Sequence, residues 1–94
     1  MKDYYYLGKV TKKFSFKGEV LVKIDTDQPD LYKKIKTLFI FHDNKLNIYN
    51  IEIIRFHKEN VLRLKFEGIS NEVEANKIIN SDVFLPLSHL PVLS

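Results

Sequence analysis

The feature of this sequence that most constrains its fold is a two-residue alternation of apolar and polar side chains. The pattern is clearest in Glu19–Asp25, where Val20, Val22 and Ile24 share one parity, and again in Val61–Glu67. Successive side chains of a strand point to opposite faces of a sheet, so each segment predicts a strand with one face in a core.

Six segments of this kind occur, and residues that favour turns separate them. They are Tyr4–Lys13, Glu19–Asp25, Leu38–His42, Leu46–His57, Val61–Glu67 and Asp82–Leu85. Many short strands at this spacing are typical of a barrel or a sandwich. In the fourth segment the apolar parity changes near Asn50 and again between Ile53 and Ile54, which predicts a bulge or a bend.

Local signals place the connections between the strands. Asp43–Lys45 and Lys58–Asn60 predict tight hairpin turns, the first with Asn44 at positive φ. Pro29 interrupts Asp25–Lys36, which predicts a loop with a short helical turn.

A single amphipathic helix is expected over Asn71–Ile79, where it would close one end of the barrel. Asn71 and Glu74 have the spacing of a capping box, and Asn80 suits a left-handed helix end. In the first strand, parity places Tyr4 and Tyr6 in the core and Tyr5 on the surface.

Composition narrows the class of protein. A chain of 94 residues, 45% of them apolar, is sufficient for one domain with a core of its own. The absence of cysteine excludes disulfides, thiolate metal sites and cysteine nucleophiles, and it fits a cytoplasmic protein. No apolar run exceeds four residues, whereas a membrane span needs about 20. The net charge of +3 permits a partner such as RNA without requiring one.

No residue pattern indicates catalysis or a cofactor. The three histidines are far apart and lack metal-ligand spacing, and the three glycines are isolated, so there is no phosphate-binding loop. Asp25–Asp30 briefly resembles a calcium loop, but it has Asp30 where that loop needs glycine and Lys36 where it needs glutamate. We therefore expect a non-enzymatic protein without cofactor or metal.

The segment between the first two strands carries phenylalanines among lysines, although connections are usually polar. Such a mixture suits base stacking with phosphate contact, and it suits a protein interface equally well. A third interpretation has Phe14 and Phe16 folding back to cap the barrel. The predicted partner-binding residues are Lys12, Lys13, Phe14, Phe16, Lys17 and Glu19.

Six motifs follow one another along the chain: Tyr6–Val10, Phe16–Val20, Thr26–Tyr32, Ile54–Lys58, Leu64–Ile69 and Val83–Leu87. In this order, the motifs resemble the N-terminal part of the RimM family of ribosome maturation factors. The resemblance depends on the ordered set, because no single motif is specific. Three residues depart from the family pattern: Phe14-Ser15 stands where His-Gly is usual, and Asn80 stands where glycine is frequent.

The resemblance implies a six-stranded antiparallel β-barrel, similar to those of translation factors and some reductases, with one short helix. Residues 1–88 would form this domain, and 89–94 would begin an extended linker to a C-terminal PRC-type barrel. It also implies a role in assembly of the 30S subunit head and in 16S rRNA processing, by binding a head ribosomal protein near 16S rRNA.

Two alternatives remain open at this point. A free-standing RNA-binding barrel of the OB or translation-factor type predicts salt-dependent binding to single-stranded RNA. A flavin-reductase-like barrel predicts flavin bound to the purified protein, and the absence of a glycine cluster argues against it.

Overall fold

A computed structural model describes residues 3–26 and 32–89, the side chain of His89 excepted. Within these ranges the chain forms a closed antiparallel barrel, as the alternation predicts, with strand order β1-β2-β5-β4-β3-β6. Its elements are β1 (Tyr4–Lys13), β2 (Val20–Ile24), β3 (Thr37–His42), β4 (Lys45–Lys58), β5 (Val61–Phe66), α1 (Glu72–Asn76), β6 (Asp82–Pro86) and a final 3₁₀ turn (Leu87–His89).

The barrel interior is filled mostly by aliphatic side chains, and the aromatic rings of Phe66 and Tyr32 are buried among them. Its members come from alternate positions of the strands, with Ile69, Ala75 and Ile78 added from the helical region. Burial of this apolar surface is the main term that stabilises the fold, at about 25 cal/mol per Å². The fully buried strand positions include Val10, Val20, Val22, Ile24, Leu38, Ile40, Leu64, Phe66, Val83 and Leu85.

The strand β4 divides its hydrogen bonding between two neighbours. Lys45–Asn50 pairs with β3, and the second half, from Ile51, pairs with β5. The register shifts between Ile51 and Ile53, so the expected bulge is confirmed. A bulge increases local twist, which lets one long strand turn the corner of a closed barrel.

The turns follow their sequence signals. Asp43 and Asn44 have φ values of 55° and 61°, the pair of positive angles that a type I′ hairpin needs. Glu59 at the next hairpin and Asn80 after the helix also have positive φ. The helical turn expected within Asp25–Lys36 is described only from Tyr32 onward, because residues 27–31, and with them most of the calcium-like segment, lie outside the described ranges.

The helix is shorter than its periodicity indicates. Glu72–Asn76 is helical and Ala75 is buried, but a turn replaces the expected last part of the helix up to Ile79. The main chain explains this early end: Asn80 N–H donates to Val10 O at 2.7 Å, and Val10 N–H donates to Ser81 O at 3.0 Å. The helix therefore ends early because Asn80 and Ser81 form backbone hydrogen bonds with β1.

The expected orientation of the three tyrosines is wrong. Tyr5 packs against the core, whereas Tyr6 is 43% exposed and Tyr4 is half-buried on the outer wall. The β1–β6 register shifts between Tyr6 and Gly8, which reverses the faces of the residues before the shift. After β6 the residues Leu87–His89 form a 3₁₀ turn, and most of the expected linker, residues 90–94, lies outside the described ranges.

Candidate functional site

The connection between β1 and β2 is a compact loop held by its own backbone. Phe14 N–H donates to Glu19 O at 2.8 Å, and the Ser15 hydroxyl donates to a Glu19 carboxylate oxygen at 3.1 Å. Gly18 has φ of 95°, and a Cβ there would lie 2.6 Å from Ile69 O. Only glycine fits this close approach, so the loop is fixed against the segment that leads into α1.

Phe14 leaves this loop and lies on the outer wall of the barrel. The Arg63 guanidinium carbon is 5.0 Å from the centre of the Phe14 ring, within the range of a cation–π contact. The His57 ring meets Phe14 edge to face at a centroid distance of 5.5 Å. Phe14 remains 41% exposed, so part of its ring is still available to a partner.

Glu19 is one of the predicted partner-binding residues, and in the structure its carboxylate lies beside Arg63. Its side chain is largely covered, and one carboxylate oxygen lies 3.2 Å from Arg63 Nε. The contact is an ion pair without the alignment of a hydrogen bond. Glu19 therefore positions Arg63 under Phe14, while its other oxygen accepts from Ser15.

Strand register brings cations together on this wall. Lys12 pairs with Leu21, Leu21 pairs with Arg63, and Arg63 pairs with Arg55, so one row of outward residues crosses four strands. Leu21 is 4% exposed and does not belong to the interior core, which makes it the apolar centre of the row. We call Lys12, Phe14, Arg55, His57 and Arg63 the basic face.

The remaining predicted residues lie beside the basic face. Phe16 is 72% exposed at the tip of the loop, so the alternative in which it folds back to cap the barrel is wrong. Lys17 is also exposed, and Lys13 Nζ lies 3.5 Å from a Glu72 carboxylate oxygen. A shallow groove of about 460 Å³ is lined by Lys13, Phe14, Ser15, Phe16 and Glu72.

Sequence reasoning missed Arg55, His57 and Arg63, which come from β4 and β5. A signal was present in the hairpin: the two arginines are each four positions from Glu59, the middle residue of the predicted turn Lys58–Asn60, and a hairpin centred there would pair them. In the structure a register shift between Phe56 and Lys58 brings them opposite each other. Their meeting with Phe14 is long-range and has no local signal.

Within residues 3–26 and 32–89, no group of three or more His, Asp or Glu side chains is arranged to hold a metal ion. The same residues include no helix whose length and apolarity would let it cross a membrane.

Comparison with known proteins gives a consistent result. A family model described as the RimM N-terminal domain matches residues 5–90. Ribosome maturation factor RimM of Flavobacterium psychrophilum is 47% identical over 93 residues, covering 99% of this chain and 53% of that protein. The protein of the same name from Flavobacterium johnsoniae is 43% identical with the same coverage of both chains. The chain thus spans about half the length of these curated relatives.

Solved structures agree with the sequence matches. A crystal structure of RimM from Pseudomonas aeruginosa, described as a 16S ribosomal RNA processing protein, superposes with a TM-score of 0.84 at 25% identity, covering 98% of this chain and 56% of that one. A solution structure of the N-terminal domain of RimM from Thermus thermophilus has a TM-score of 0.76 at 14% identity. It covers 97% of this chain and 98% of that chain, and it shows likeness of fold alone.

Proposed function

Since this chain belongs to the RimM family and matches its N-terminal domain, we propose that it assists assembly of the 30S subunit head and processing of 16S rRNA. It does so by binding, and it forms and breaks no covalent bond. Its partners are a head ribosomal protein and the adjacent 16S rRNA of precursor particles in the cytoplasm. The names of its relatives support the coarser part of this proposal, because they describe a ribosome maturation factor and a 16S ribosomal RNA processing protein. The 30S head, its ribosomal protein and the cytoplasm come from the family resemblance.

The observation that carries this proposal is the basic face, and within it we assign RNA as the partner. An aromatic ring in contact with a guanidinium, beside further cations, offers both a stacking surface and phosphate contacts. Base stacking on an aromatic side chain contributes about 1–3 kcal/mol per base. Lys12 and the exposed Lys17 would extend the positive potential along the loop.

The pairing of two arginines gives the proposal further support. Like charges directly opposite each other on neighbouring strands destabilise a sheet. Glu19 offsets one of the two, while Arg55 has a hydrogen bond to Ile54 O as its described partner. A phosphate bound between the two guanidinium groups would relieve this repulsion, because arginine forks match phosphate geometry.

The domain organisation proposed for the whole protein is two barrels. Residues 1–88 form the N-terminal one, and 89–94 begin a linker to a PRC-type C-terminal barrel. The relatives support a second part in family members, because the match covers 53% of their length and the matching family model is an N-terminal domain. The PRC type of that part comes from the family resemblance.

A binding experiment with a charge-matched control tests the role of the basic face. Small-subunit precursor particles, and separately a single-stranded 16S rRNA fragment, are titrated with the parent chain and with a Lys12→Glu, Phe14→Ala variant. The control is Lys33→Glu, which makes the same charge change at an exposed position outside the basic face. We expect the first variant to lose at least tenfold in affinity for both ligands and the control to bind as the parent does.

The salt dependence of binding separates RNA from a protein partner. Each phosphate contact to a single strand contributes about −0.7 to the slope of log K against log salt. Removal of the Lys12 cation should therefore make the slope less steep by about 0.7. If the parent does not bind free rRNA and the variant loses binding to the particles, the basic face binds a ribosomal protein instead. If the variant binds both ligands as the parent does, the assignment of this surface is refuted.

A further inference from the structure

The outer wall opposite the basic face carries a row of apolar rings. Strand register sets Tyr6 beside Phe84, Phe84 beside Phe39, and Phe39 beside Ile48, so the row crosses β1, β6, β3 and β4. The residues on each side of Phe39 and Phe84 are fully buried, which places these two rings outside the barrel. We call the following set the aromatic face: Tyr4, Tyr6, Phe39, Phe41, Ile48 and Phe84.

This face exposes several large apolar side chains next to one another. Ile48 is 61% exposed, Tyr6 43% and Phe41 36%. Tyr4 meets Phe39 at 5.1 Å and Tyr6 meets Phe84 at 5.9 Å between ring centres, both edge to face, so the rings form one continuous surface. Contiguous apolar patches of this kind mark interaction sites, whereas single exposed apolar residues do not.

Charged residues border the aromatic face. Lys9 Nζ lies 3.9 Å from an Asp82 carboxylate oxygen, and an Asp43 carboxylate oxygen lies 3.4 Å from a ring nitrogen of His42. An apolar centre with a polar rim is the usual anatomy of a protein–protein interface. The occupant indicated by this chemistry is a folded protein surface.

The position of β6 indicates which folded protein surface contacts the aromatic face. β6 carries Phe84 through the middle of the aromatic face, and at its end Pro86 pairs with Tyr4. The next residue, Leu87, donates its N–H to Asp3 O at 3.0 Å and is 46% exposed. The chain therefore leaves the barrel at the border of this face.

Family members continue beyond this point. The match to an N-terminal domain covers 53% of the Flavobacterium relatives and 56% of the Pseudomonas aeruginosa chain. A domain attached a few residues after β6 is held near the aromatic face at an effective concentration in the millimolar range. At that concentration a surface of modest size is sufficient for docking.

We propose that the aromatic face is the docking surface for the domain that follows the N-terminal domain in full-length RimM proteins. The interface is intramolecular and forms between two parts of one chain. The proposal rests on family membership and on the position of β6, and it is independent of RNA binding by the basic face.

Aromatic-ring NMR tests the docking directly. The 94-residue chain is compared with a chimera in which the C-terminal half of the Flavobacterium psychrophilum protein follows Ser94. We expect ring signals of Tyr6, Phe41 and Phe84 to shift in the chimera. Signals of Phe14 and Phe16 serve as the internal control and should stay in place.

A surface variant makes the test specific. Tyr6→Glu with Ile48→Lys, at two exposed positions, should return the signal of Phe41 in the chimera to its position in the 94-residue chain and raise the radius of gyration. The control is Val73→Lys, which changes an apolar side chain that is 72% exposed on α1. The double variant of the 94-residue chain should bind rRNA as the parent does, so failure of this proposal and failure of the proposed function are distinguishable.

Other occupants give different results. The aromatic-face signals of the 94-residue chain could instead shift with protein concentration, with no further shift in the chimera. That result would assign the face to a second copy of the chain and overturn the proposal. Shifts confined to Phe14 and Phe16 in the chimera would place the second domain on the basic side and would also overturn it.

Discussion

Arg55 and Arg63, the two arginines of the chain, stand directly opposite each other on β4 and β5. Arg63 has an aromatic ring above it and a carboxylate beside it, whereas Arg55 bonds to a neighbouring carbonyl. The arrangement holds one guanidinium rigidly and leaves the other more available. The guanidinium of arginine is planar and can stack on an aromatic ring, whereas the ammonium of lysine cannot. Exchange of one for the other therefore tests whether stacking contributes to binding.

Replacement of Arg63 by lysine should weaken RNA binding without changing its salt dependence. Lysine keeps the charge and loses the planar contact with Phe14, so we expect affinity for single-stranded rRNA to fall about tenfold, consistent with loss of about 1–2 kcal/mol. Lys12→Arg is the control and should keep the parent affinity. Equal affinity of Arg63→Lys and the parent would show that the stacked geometry has no role.

Replacement of Gly8 by alanine should destabilise the barrel strongly. Gly8 pairs with Ile24, and a Cβ there would collide with the Lys23 carbonyl and lie 2.8 Å from Ile24 Cα. Overpacking against backbone costs about 1–3 kcal/mol, and we expect the upper end in urea unfolding. Gly68→Ala has open space around its Cβ and should cost only the strain of its positive φ, about 1 kcal/mol. Equal losses in the two variants would contradict this.

Two phenylalanines should differ widely in their contribution to stability. Phe66 is fully buried in the barrel, so Phe66→Ala is expected to lower the free energy of unfolding by about 3–5 kcal/mol. Phe16 is 72% exposed, and Phe16→Ala should change it by less than about 0.5 kcal/mol. Thermal or denaturant unfolding measures both, and a large loss for Phe16→Ala would indicate that the loop supports the core.

The start of α1 should show a pH-dependent contribution from Glu74. Donation from the Ser70 backbone N–H and hydroxyl to its carboxylate lowers the pKa of Glu74 below its ordinary value of 4.5. Because the pKa of Glu74 is lower in the folded state, the ionised carboxylate stabilises the fold at pH values above its ordinary pKa. This stabilisation is lost as the pH falls through the lowered, folded-state pKa. Glu74→Gln should therefore melt below the parent at pH 7, with a smaller difference at pH 3. A difference independent of pH would contradict the role of the charge.

Much of the fold could be predicted because its determinants are local. Alternation in Val20–Ile24 and Val61–Phe66 identifies strands by itself, and Asp43-Asn44 identifies a hairpin through backbone angles that few residues adopt. The same reasoning fails at Tyr4–Tyr6, because the register shift before Gly8 depends on pairing with β6, which is distant in the sequence. Parity counted along one strand cannot detect an offset that a distant strand imposes.

The candidate site also has residues that local sequence predicts and residues that only the long-range strand order brings in. Lys12 and Phe14 were predicted because an aromatic among lysines is unusual in a connection. Arg63 was missed because its contact with Phe14 depends on the order β1-β2-β5, which alternation does not determine. Glu19 was predicted as a contact residue, but its position beside Arg63 follows from the same long-range order.

Closure of the barrel by pairing of β1 with β6 has a consequence for synthesis of the protein. Chains emerge from the ribosome N-terminus first, so β1 appears at the start and β6 last among the strands. Until Asp82–Pro86 has left the exit tunnel, β1 and β3 each present an unpaired edge and the sheet cannot close. Such non-local pairing is slow to form, so closure of this barrel has to wait for its sixth strand.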